Sequence, residues 1–362
     1  MTAFDGKRLT NATLKLDVDG LRRGHYADIY FQNVVHILKA LQASEYRFSG
    51  HSPRVLPLDE SSTQIGDLMV EAQIFNRRKP YALIAGIDVA LAMLRHVTGY
   101  YYDAQFIETW HELEVDAVQD GVITKYAGDV EHVKTVIEVR GRYRDFALLE
   151  TTMLGVLTRT SRIATNVYDV LKAANGKGVL FFPARFDLPQ VQAIDGYAYW
   201  LAVQRYNRET GHDVHPLVST DAQASWWGGK GGGTIPHALV ACFLADTVEA
   251  MLAYARHLPS ESPRIALVDF DNDTVNTSRA VLNAFWTHYR VALESGNEDE
   301  QQRWTLHGIR LDTSASVRDV SLPPDAPTGV SPALVRLVRE ALNNAWKEWR
   351  VPHDLEIGRA HV

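Results

Sequence analysis

The pattern of apolar and polar positions divides the chain into two parts with different kinds of predicted element. In the first part it predicts an amphipathic helix over 23–44, a strand over 67–76 and a buried helix over 82–97. Between 103 and 140, short β-rich runs are separated by turns that contain glycine. The pattern therefore predicts an N-terminal helix and a small sheet domain over residues 1–144.

The second part alternates short strands with helices after a long helix predicted over 145–174. Strands are predicted at 179–182, 215–219, 264–269 and 307–312, and helices at 189–209, 235–257, 274–295 and 332–349. Such alternation favours a parallel α/β arrangement, so we predict an incomplete β/α barrel over residues 145–356. In a barrel of this kind the functional groups lie at the C-terminal ends of the strands.

The composition fits a globular protein and excludes several classes. Of the 362 residues, 46% are hydrophobic and 22% charged, and the net charge of -7 does not favour nucleic-acid binding. The single cysteine, Cys242, excludes an intramolecular disulfide framework and is typical of a reducing cytoplasm. Residues 1–11 have no apolar signal-peptide core, and acidic residues interrupt the longest apolar stretches. We therefore expect a cytoplasmic protein without a membrane span.

Residues 228–237, with the sequence GGKGGGTIPH, form the most informative segment. Glycine lets backbone N–H groups approach a phosphate closely, and a helix start presents unpaired N–H groups and a positive dipole end. The segment is therefore interpreted as a phosphate-handling loop directed at His237. Lys230 is followed by Gly231 rather than by serine or threonine, which excludes a Walker loop. The alternative interpretation is a mobile surface loop before a core helix.

Polar residues also follow the strands predicted for the barrel. They are Arg185, Asp221, Asp269, Arg310 and Asp312. Carboxylates, arginines and a histidine around one rim describe a site for an anionic, phosphorylated and hydroxyl-rich substrate. The alternatives are that Asp269 caps a helix and that Arg310 and Asp312 form an ordinary ion pair. The carboxylates from 269 to 273 lack the sixth-position glycine of a calcium loop, so no metal site made by protein residues is predicted.

Five motifs in order resemble the type II phosphoribosyltransferases, specifically the nicotinate phosphoribosyltransferases. They are GHYADIYF at 24–31, YRDFALLET at 143–151 with IAT at 163–165, FPAR at 182–185, GTIPH at 233–237 and RLD at 310–312. The resemblance extends over nearly the whole chain. Pro183 stands where the family has glycine, so the loop at Phe182 is expected to differ locally.

The resemblance implies a sandwich-like N-terminal domain packed on an incomplete barrel, in a head-to-tail homodimer with shared active sites. The implied substrate-binding residues are Tyr30, Arg77, Arg78, Phe182, Arg185, Asp221, Thr234 and Arg310. Tyr30 of one subunit and Phe182 of the other would stack on the pyridine ring, and one of the two adjacent arginines would reach the diphosphate. Guanidinium forks at 185 and 310 suit a phosphate and the ring carboxylate. The alternatives are plain core aromatics and surface ion pairs.

The implied reaction joins nicotinate to phosphoribosyl pyrophosphate and gives nicotinate mononucleotide and pyrophosphate, a step in NAD biosynthesis. Asp312 is implied as a catalytic carboxylate that holds the ribose hydroxyls and favours the positive charge on the ribose. Asp269 is predicted, from its place at a strand end, to be a second active-site carboxylate. Mg²⁺ would neutralise the diphosphate leaving group. ATP is the implied co-substrate, and it would phosphorylate His237 to drive the synthesis.

The choice of pyridine stays open at this point. An ionised Asp221 would accept a hydrogen bond from a carboxamide and repel a carboxylate, which leaves nicotinamide as an alternative to nicotinate. Quinolinate, with two carboxylates, is a third possibility. Comparison of the turnover of the three pyridines would decide.

The C-terminal part raises a separate question. Helix 332–349 should lead to another barrel strand and to the glycine loop that holds the 5′-phosphate in the family, and no such loop is found. Residues 357–362 match a reading frame of a sequencing adapter and are predicted to be a non-native tail, with a genuine short polar tail as the alternative. The alternative function is therefore an inactive fragment or a non-catalytic binding protein on the same fold.

Overall fold

The computed structural model describes residues 4–51 and 62–349 of the chain. Its helices are α1 (Asn11–Leu14), α2 (Val18–Arg22), α3 (Ile29–Ala43), α4 (Ile87–Val97), α5 (Tyr143–Phe146), α6 (Glu150–Ala174), α7 (Gln192–Thr210), α8 (Asp221–Ala224), α9 (His237–Cys242), α10 (Thr247–His257), α11 (Thr274–Glu294), α12 (Glu298–Arg303) and α13 (Pro332–Glu348). Its strands are β1 (Met69–Phe75), β2 (Tyr81–Leu83), β3 (Gly99–Tyr102), β4 (Gln105–Glu108), β5 (Glu114–Ala117), β6 (Ile123–Lys125), β7 (Thr135–Arg142), β8 (Leu180–Phe181), β9 (Leu217–Val218), β10 (Ile265–Leu267) and β11 (Gly308–Arg310). Within the described ranges, no helix combines the length and the apolar character needed to cross a bilayer.

The chain divides into two compact units inside the glycine-rich segment. Unit 1 extends to Gly232, and unit 2 begins at Gly233. The boundary predicted between 144 and 145 lies within unit 1 and stays a prediction. The tail predicted at 357–362 lies outside the described residues.

The first part of unit 1 is built from antiparallel strands. Strand β7 pairs with β1 on one side and with β5 on the other, so that Val139 lies opposite both Ala72 and Val115. Two further antiparallel pairs join β2 to β6 and β3 to β4. Side chains of β1 alternate between exposed and half-buried, as the period of two predicted. The short strands predicted for this part of the chain therefore form antiparallel sheets, whereas the domain predicted over 1–144 stays a prediction.

Helix α6 holds the backbone that follows β2 through its hydroxyl side chains. Thr165 Oγ1 accepts the N–H of Leu83 at 2.9 Å, and Ser161 Oγ accepts the N–H of Ala85 at 3.1 Å. All four residues are buried, so these bonds satisfy donors that have no access to water. The segment 163–165 thus has a structural role in unit 1.

Each unit contains one pair of parallel strands among its described residues. In unit 1, β8 pairs with β9 and places Leu180 opposite Leu217. In unit 2, β10 pairs with β11 and places Leu267 opposite Arg310. Helices follow these strands in the sequence, which confirms the predicted α/β class. Each pair contains two of the strands that were predicted for the barrel, and the barrel itself stays a prediction.

The core of unit 2 lies around β10 and β11. Leu267 and Ile309 from the strands are buried together with Met251 of α10, Phe285 of α11 and Val338 of α13. Burial of large apolar side chains stabilises the unit by roughly 1.5–3 kcal/mol for each of them. This packing fixes the position at which the two strands end.

The prediction of one helix over 82–97 is wrong at its start. Residues up to Leu83 belong to β2, and α4 begins at Ile87. Gly86 separates the two elements with a φ of 96°, a conformation that favours glycine. The apolar run continues across this change, and periodicity alone therefore does not reveal it.

The prediction of one helix over 235–257 is also wrong, because α9 and α10 are separate. Leu244 and Ala245 between them adopt positive φ values of 54° and 71°. Asp246 then caps α10 by accepting the N–H of Glu249 with its side chain. The break leaves α9 as a helix of six residues that begins at His237.

Candidate active site

His237 and Asp269 form a close pair in unit 2. The Nε2 atom of His237 lies 3.1 Å from both carboxylate oxygens of Asp269. The Asp269 side chain is 6% exposed, whereas that of His237 is 44% exposed. Because the carboxylate can only accept, the neutral imidazole carries its proton on Nε2 and its lone pair on Nδ1. A buried carboxylate therefore orients an accessible histidine.

The local sequence explains the position of each partner. Asp269 comes directly after Val268, which follows β10 and is completely buried. His237 is the first residue of α9, two residues after Ile235, which is 1% exposed within the core of unit 2. The ring of Phe270 lies 6.3 Å from the imidazole centre at an interplanar angle of 35°. Core packing on both sides thus holds the pair together.

Arg310, Thr234 and Asp312 form a second group in the same unit. Arg310 Nη2 donates to Asp312 Oδ2 at 2.8 Å, and Arg310 Nη1 donates to Thr234 Oγ1 at 3.0 Å. The side chains of Arg310 and Asp312 are 27% and 35% exposed. A partly exposed ion pair of this kind contributes little to the stability of the fold.

The two groups lie at the same end of the small parallel sheet. Leu267 of β10 pairs with Arg310 of β11, and Asp269 and Asp312 each follow their strand by two residues. Five predicted site residues therefore lie within unit 2: Asp269, Arg310 and Asp312 at the strand ends, and Thr234 and His237 in the GTIPH motif. The arrangement combines a guanidinium for anions, a carboxylate for hydroxyls and a histidine for phosphoryl or proton transfer.

Tyr30 lies on α3 of unit 1 with a highly exposed ring. Its hydroxyl donates to Asp28 Oδ2 at 3.0 Å, and this bond is the main cause that raises the pKa of Tyr30. Asp28 also accepts from Thr151 Oγ1 at 3.0 Å, and Thr151 Oγ1 in turn accepts the Asp28 N–H at 3.1 Å. These contacts join the motif at 24–31 to the motif at 143–151. The two motifs therefore hold each other, a contact that their separation in the sequence does not reveal.

Arg77 and Arg78 differ in their surroundings. Arg77 is exposed, whereas Arg78 is half-buried and its Nη2 donates to Asn166 Oδ1 at 2.7 Å. The backbone N–H of Arg78 also donates to Asn76 Oδ1 at 2.7 Å. Arg78 is therefore the arginine with a defined orientation. Asn166 directly follows the motif at 163–165, and this position in the sequence could have indicated that Asn166 belongs to the candidate site.

Phe182 and Arg185 follow β8 in a short irregular segment. Phe182 is 43% exposed. Arg185 lies in a 3-10 turn over Ala184–Phe186, with its guanidinium carbon 5.7 Å from the centre of the Phe186 ring. Pro183 is the N-cap of this turn. Asp221 lies at the end of β9, where its Oδ1 accepts the N–H of Gly231 at 2.8 Å.

Metal binding by side chains alone has no support in the part of the chain that the structure describes, where no group of three or more His, Cys, Asp or Glu residues is arranged to hold an ion. A magnesium ion on a diphosphate needs only one or two carboxylates, because phosphate oxygens and water complete its shell. Asp269 and Asp312 are oxygen donors of the right kind at one end of a sheet.

Comparisons with known proteins agree with this fold. Residues 28–161 match the family model described as quinolinate phosphoribosyl transferase, N-terminal domain. The structure of nicotinate-nucleotide pyrophosphorylase from Pyrococcus furiosus is 23% identical with a TM-score of 0.61, over 95% of this chain and 67% of that one. The fold is that of the phosphoribosyltransferases.

Two further solved structures share it at lower identity. Human nicotinic acid phosphoribosyltransferase is 16% identical with a TM-score of 0.56, over 90% of this chain and 66% of that one. NadC from Streptococcus pyogenes is 12% identical with a TM-score of 0.52, over 98% of this chain and 84% of that one. No curated protein matches the chain.

The family-model match and the solved structures thus show a shared fold and a similarity to phosphoribosyltransferases named for quinolinate and nicotinic acid. They do not distinguish between the two pyridines. The individual site residues, ATP, magnesium and the homodimer stay predictions.

Proposed function

We propose that the protein is a nicotinate phosphoribosyltransferase coupled to ATP. The observation that carries this proposal is the contact of His237 Nε2 with both oxygens of the nearly buried Asp269. A histidine oriented in this way keeps a nucleophilic Nδ1 and gains stabilisation of its positive charge when it receives a phosphoryl group. The γ-phosphoryl of ATP would bond to the imidazole, and ADP would leave.

Arg310 and Asp312 supply the other half of the chemistry. The guanidinium of Arg310, fixed by Thr234 and Asp312, suits a phosphate or the carboxylate of nicotinate. The Asp312 carboxylate accepts from ribose hydroxyls and favours the positive charge that develops as the pyridine nitrogen bonds to C1 and pyrophosphate leaves. Magnesium, bound to diphosphate oxygens, would neutralise the leaving group. Tyr30 and Phe182, both exposed, supply flat faces for a pyridine ring.

The variant His237→Ala tests the proposal. It should lose the stimulation by ATP and the acid-labile phosphoryl label, while it keeps some ATP-independent transfer. The matched control is His257→Ala, since His257 is an exposed histidine at the end of α10. An unchanged ATP response in His237→Ala would contradict the assignment.

A second candidate function is a quinolinate phosphoribosyltransferase, which the family-model match over 28–161 favours. Quinolinate transfer releases CO₂ together with pyrophosphate and needs no ATP. Parallel assays with nicotinate, nicotinamide and quinolinate, with and without ATP, separate the candidates by product and by CO₂ release. Binding of phosphoribosyl pyrophosphate without turnover of any pyridine would support the inactive fragment or non-catalytic binding protein.

A further inference from the structure

The backbone around Asp221 is fixed by a capping box. Thr220 Oγ1 accepts the N–H of Gln223 at 3.2 Å, and Gln223 Oε1 accepts the N–H of Thr220 at 3.2 Å. Gln223 is completely buried, and its Oε1 also accepts the N–H of Ser219 at 3.1 Å. Reciprocal bonds of this kind define where a helix begins. Asp221, the first residue of α8, therefore has a defined backbone position.

The side chain of Asp221 is directed at the glycine-rich segment. Its Oδ1 accepts the N–H of Gly231 at 2.8 Å. The next residue, Gly232, donates its N–H to the carbonyl of Val218 at 2.8 Å, and Gly231 forms a parallel bridge with Val218. The segment thus lies along the end of β9 rather than extending freely from the surface. Charge-assisted bonds to a carboxylate are among the stronger hydrogen bonds in proteins.

Gly231 is packed so closely that no other residue fits. A Cβ atom at this position would lie 2.7 Å from the carbonyl carbon of Thr220 and 2.9 Å from the N atom of Asp221. Both are backbone atoms, which a small rotation of a side chain cannot relieve. A Cβ at Gly232 or at Gly233 would meet no atom within 4 Å. Of these three adjacent glycines, only Gly231 is required by contact.

We propose that Asp221 is a positioning residue that holds the glycine-rich segment against the end of β9, and that it does not select the pyridine. The held part, Gly231 and Gly232, directly precedes Gly233, where unit 2 begins, and the chain continues to Thr234 and His237. The catalytic consequence of this anchor rests on the proposed function, whereas the anchor itself does not. The alternative is that Asp221 contacts the substituent on the pyridine ring, and the kinetic test below can show this.

Limited proteolysis tests the anchor without any substrate. Trypsin can cleave after Lys230, which is exposed and directly precedes Gly231. Opening of the segment should increase in Asp221→Ala and in Gly231→Ala, so cleavage at this bond should be about tenfold faster, as expected for one charge-assisted hydrogen bond. Gly232→Ala is the matched control and should cleave at the wild-type rate. Asp221→Asn keeps an acceptor of the same length and should recover most of the protection.

Hydrogen exchange of the Gly231 and Gly232 amides gives the same comparison in the uncleaved chain. Faster exchange in Asp221→Ala, with an unchanged melting temperature, would support the proposal. Equal cleavage and exchange in wild type and Asp221→Ala would overturn it.

The kinetic test separates positioning from selection. Asp221→Ala should lower kcat/KM for nicotinate and nicotinamide by the same factor, and Asp221→Asn should restore both. A change of more than tenfold in the ratio of the two pyridines would show that Asp221 contacts the ring, and would overturn the proposal. If wild-type protein turns over neither pyridine, the proposed function fails, and proteolysis still decides whether Asp221 holds the segment.

Discussion

The ends of the two parallel strand pairs use carboxylates in different ways. At the end of β9 in unit 1, Asp221 accepts a backbone N–H from Gly231. At the ends of β10 and β11 in unit 2, Asp269 contacts the ring of His237, and Asp312 accepts from the guanidinium of Arg310. The first carboxylate fixes the path of the chain, and the other two fix the orientation of functional side chains. Equivalent places in the sequence pattern therefore do not imply equivalent roles.

Asp120 in unit 1 extends the comparison. Its carboxylate accepts the N–H of Ile87 at 2.8 Å at the start of α4. It is buried beside Asp88, which itself accepts the N–H of Leu9 and a bond from Arg8, both at 2.9 Å. Unit 1 thus has a further carboxylate that orders the backbone. The free-energy cost of burying the Asp120 carboxylate should appear in the stability of the fold.

The largest expected effect is the loss of turnover rate when Asp312 is substituted. Removal of its charge in Asp312→Asn should lower kcat by roughly three decades, because one charge at ~4 Å and an effective dielectric of ~20 contributes about 4 kcal/mol to a cationic transition state. Single-turnover rates would measure it. Asp325→Asn, an exposed aspartate in unit 2, should leave kcat unchanged. A loss of less than fivefold in Asp312→Asn would place this carboxylate with Asp221 among the positioning groups.

The next largest effect is expected in the pH dependence of the free energy of unfolding, through Asp120. Burial, with the Asp88 charge as second cause, raises the pKa of Asp120 from 3.8 to about 7. The folded state then binds a proton that the unfolded state has released, so the free energy of unfolding should fall as pH rises from about 4 to about 7. The contribution is of order 1–4 kcal/mol. Denaturant unfolding at several pH values would measure it.

Asp120→Asn is the variant that isolates this group. The amide oxygen can still accept the Ile87 N–H, and there is no charge to bury, so stability between pH 4 and 7 should become flatter. Asp103→Asn, an exposed aspartate of unit 1, should keep the wild-type slope. An identical slope in wild type and Asp120→Asn would show that another group is responsible.

The smallest effect is expected at Thr234. Thr234→Val keeps the shape and removes the acceptor for Arg310 Nη1, which now lies at 3.0 Å. One bond from a charged donor corresponds to about a tenfold rise in KM for the anionic substrate with little change in kcat. Thr234→Ser should restore the wild-type KM. A fall in kcat with unchanged KM would instead place Thr234 at the reacting atoms.

The sequence was sufficient to predict the α/β class and to predict that the site residues of unit 2 lie near one another. Strand–helix alternation places residues after neighbouring parallel strands at one edge, which is why Asp269, Arg310 and Asp312 could be predicted to lie together. The GTIPH motif added His237 and Thr234. These inferences need only local periodicity and chain order.

Other features could not be predicted because they depend on contacts between distant residues. The bond from Gly231 to Asp221 requires a backbone approach that no local pattern encodes. The break between α9 and α10 interrupts a continuous apolar run, and only the spacing of Asp246 and Glu249 could have indicated the second start. Nor does the sequence alone reveal that Arg78, rather than its neighbour, is oriented by Asn166.

Helix α9 has a practical consequence for spectroscopy. It begins at His237 and ends at Cys242, which is exposed and is the single cysteine in the chain. With a rise of about 1.5 Å per residue, the thiol-bearing residue lies roughly 8 Å along the helix from the histidine. A maleimide fluorophore would therefore attach at one place without any engineered cysteine. Its emission would test whether the addition of ATP or of phosphoribosyl pyrophosphate changes the surroundings of this helix.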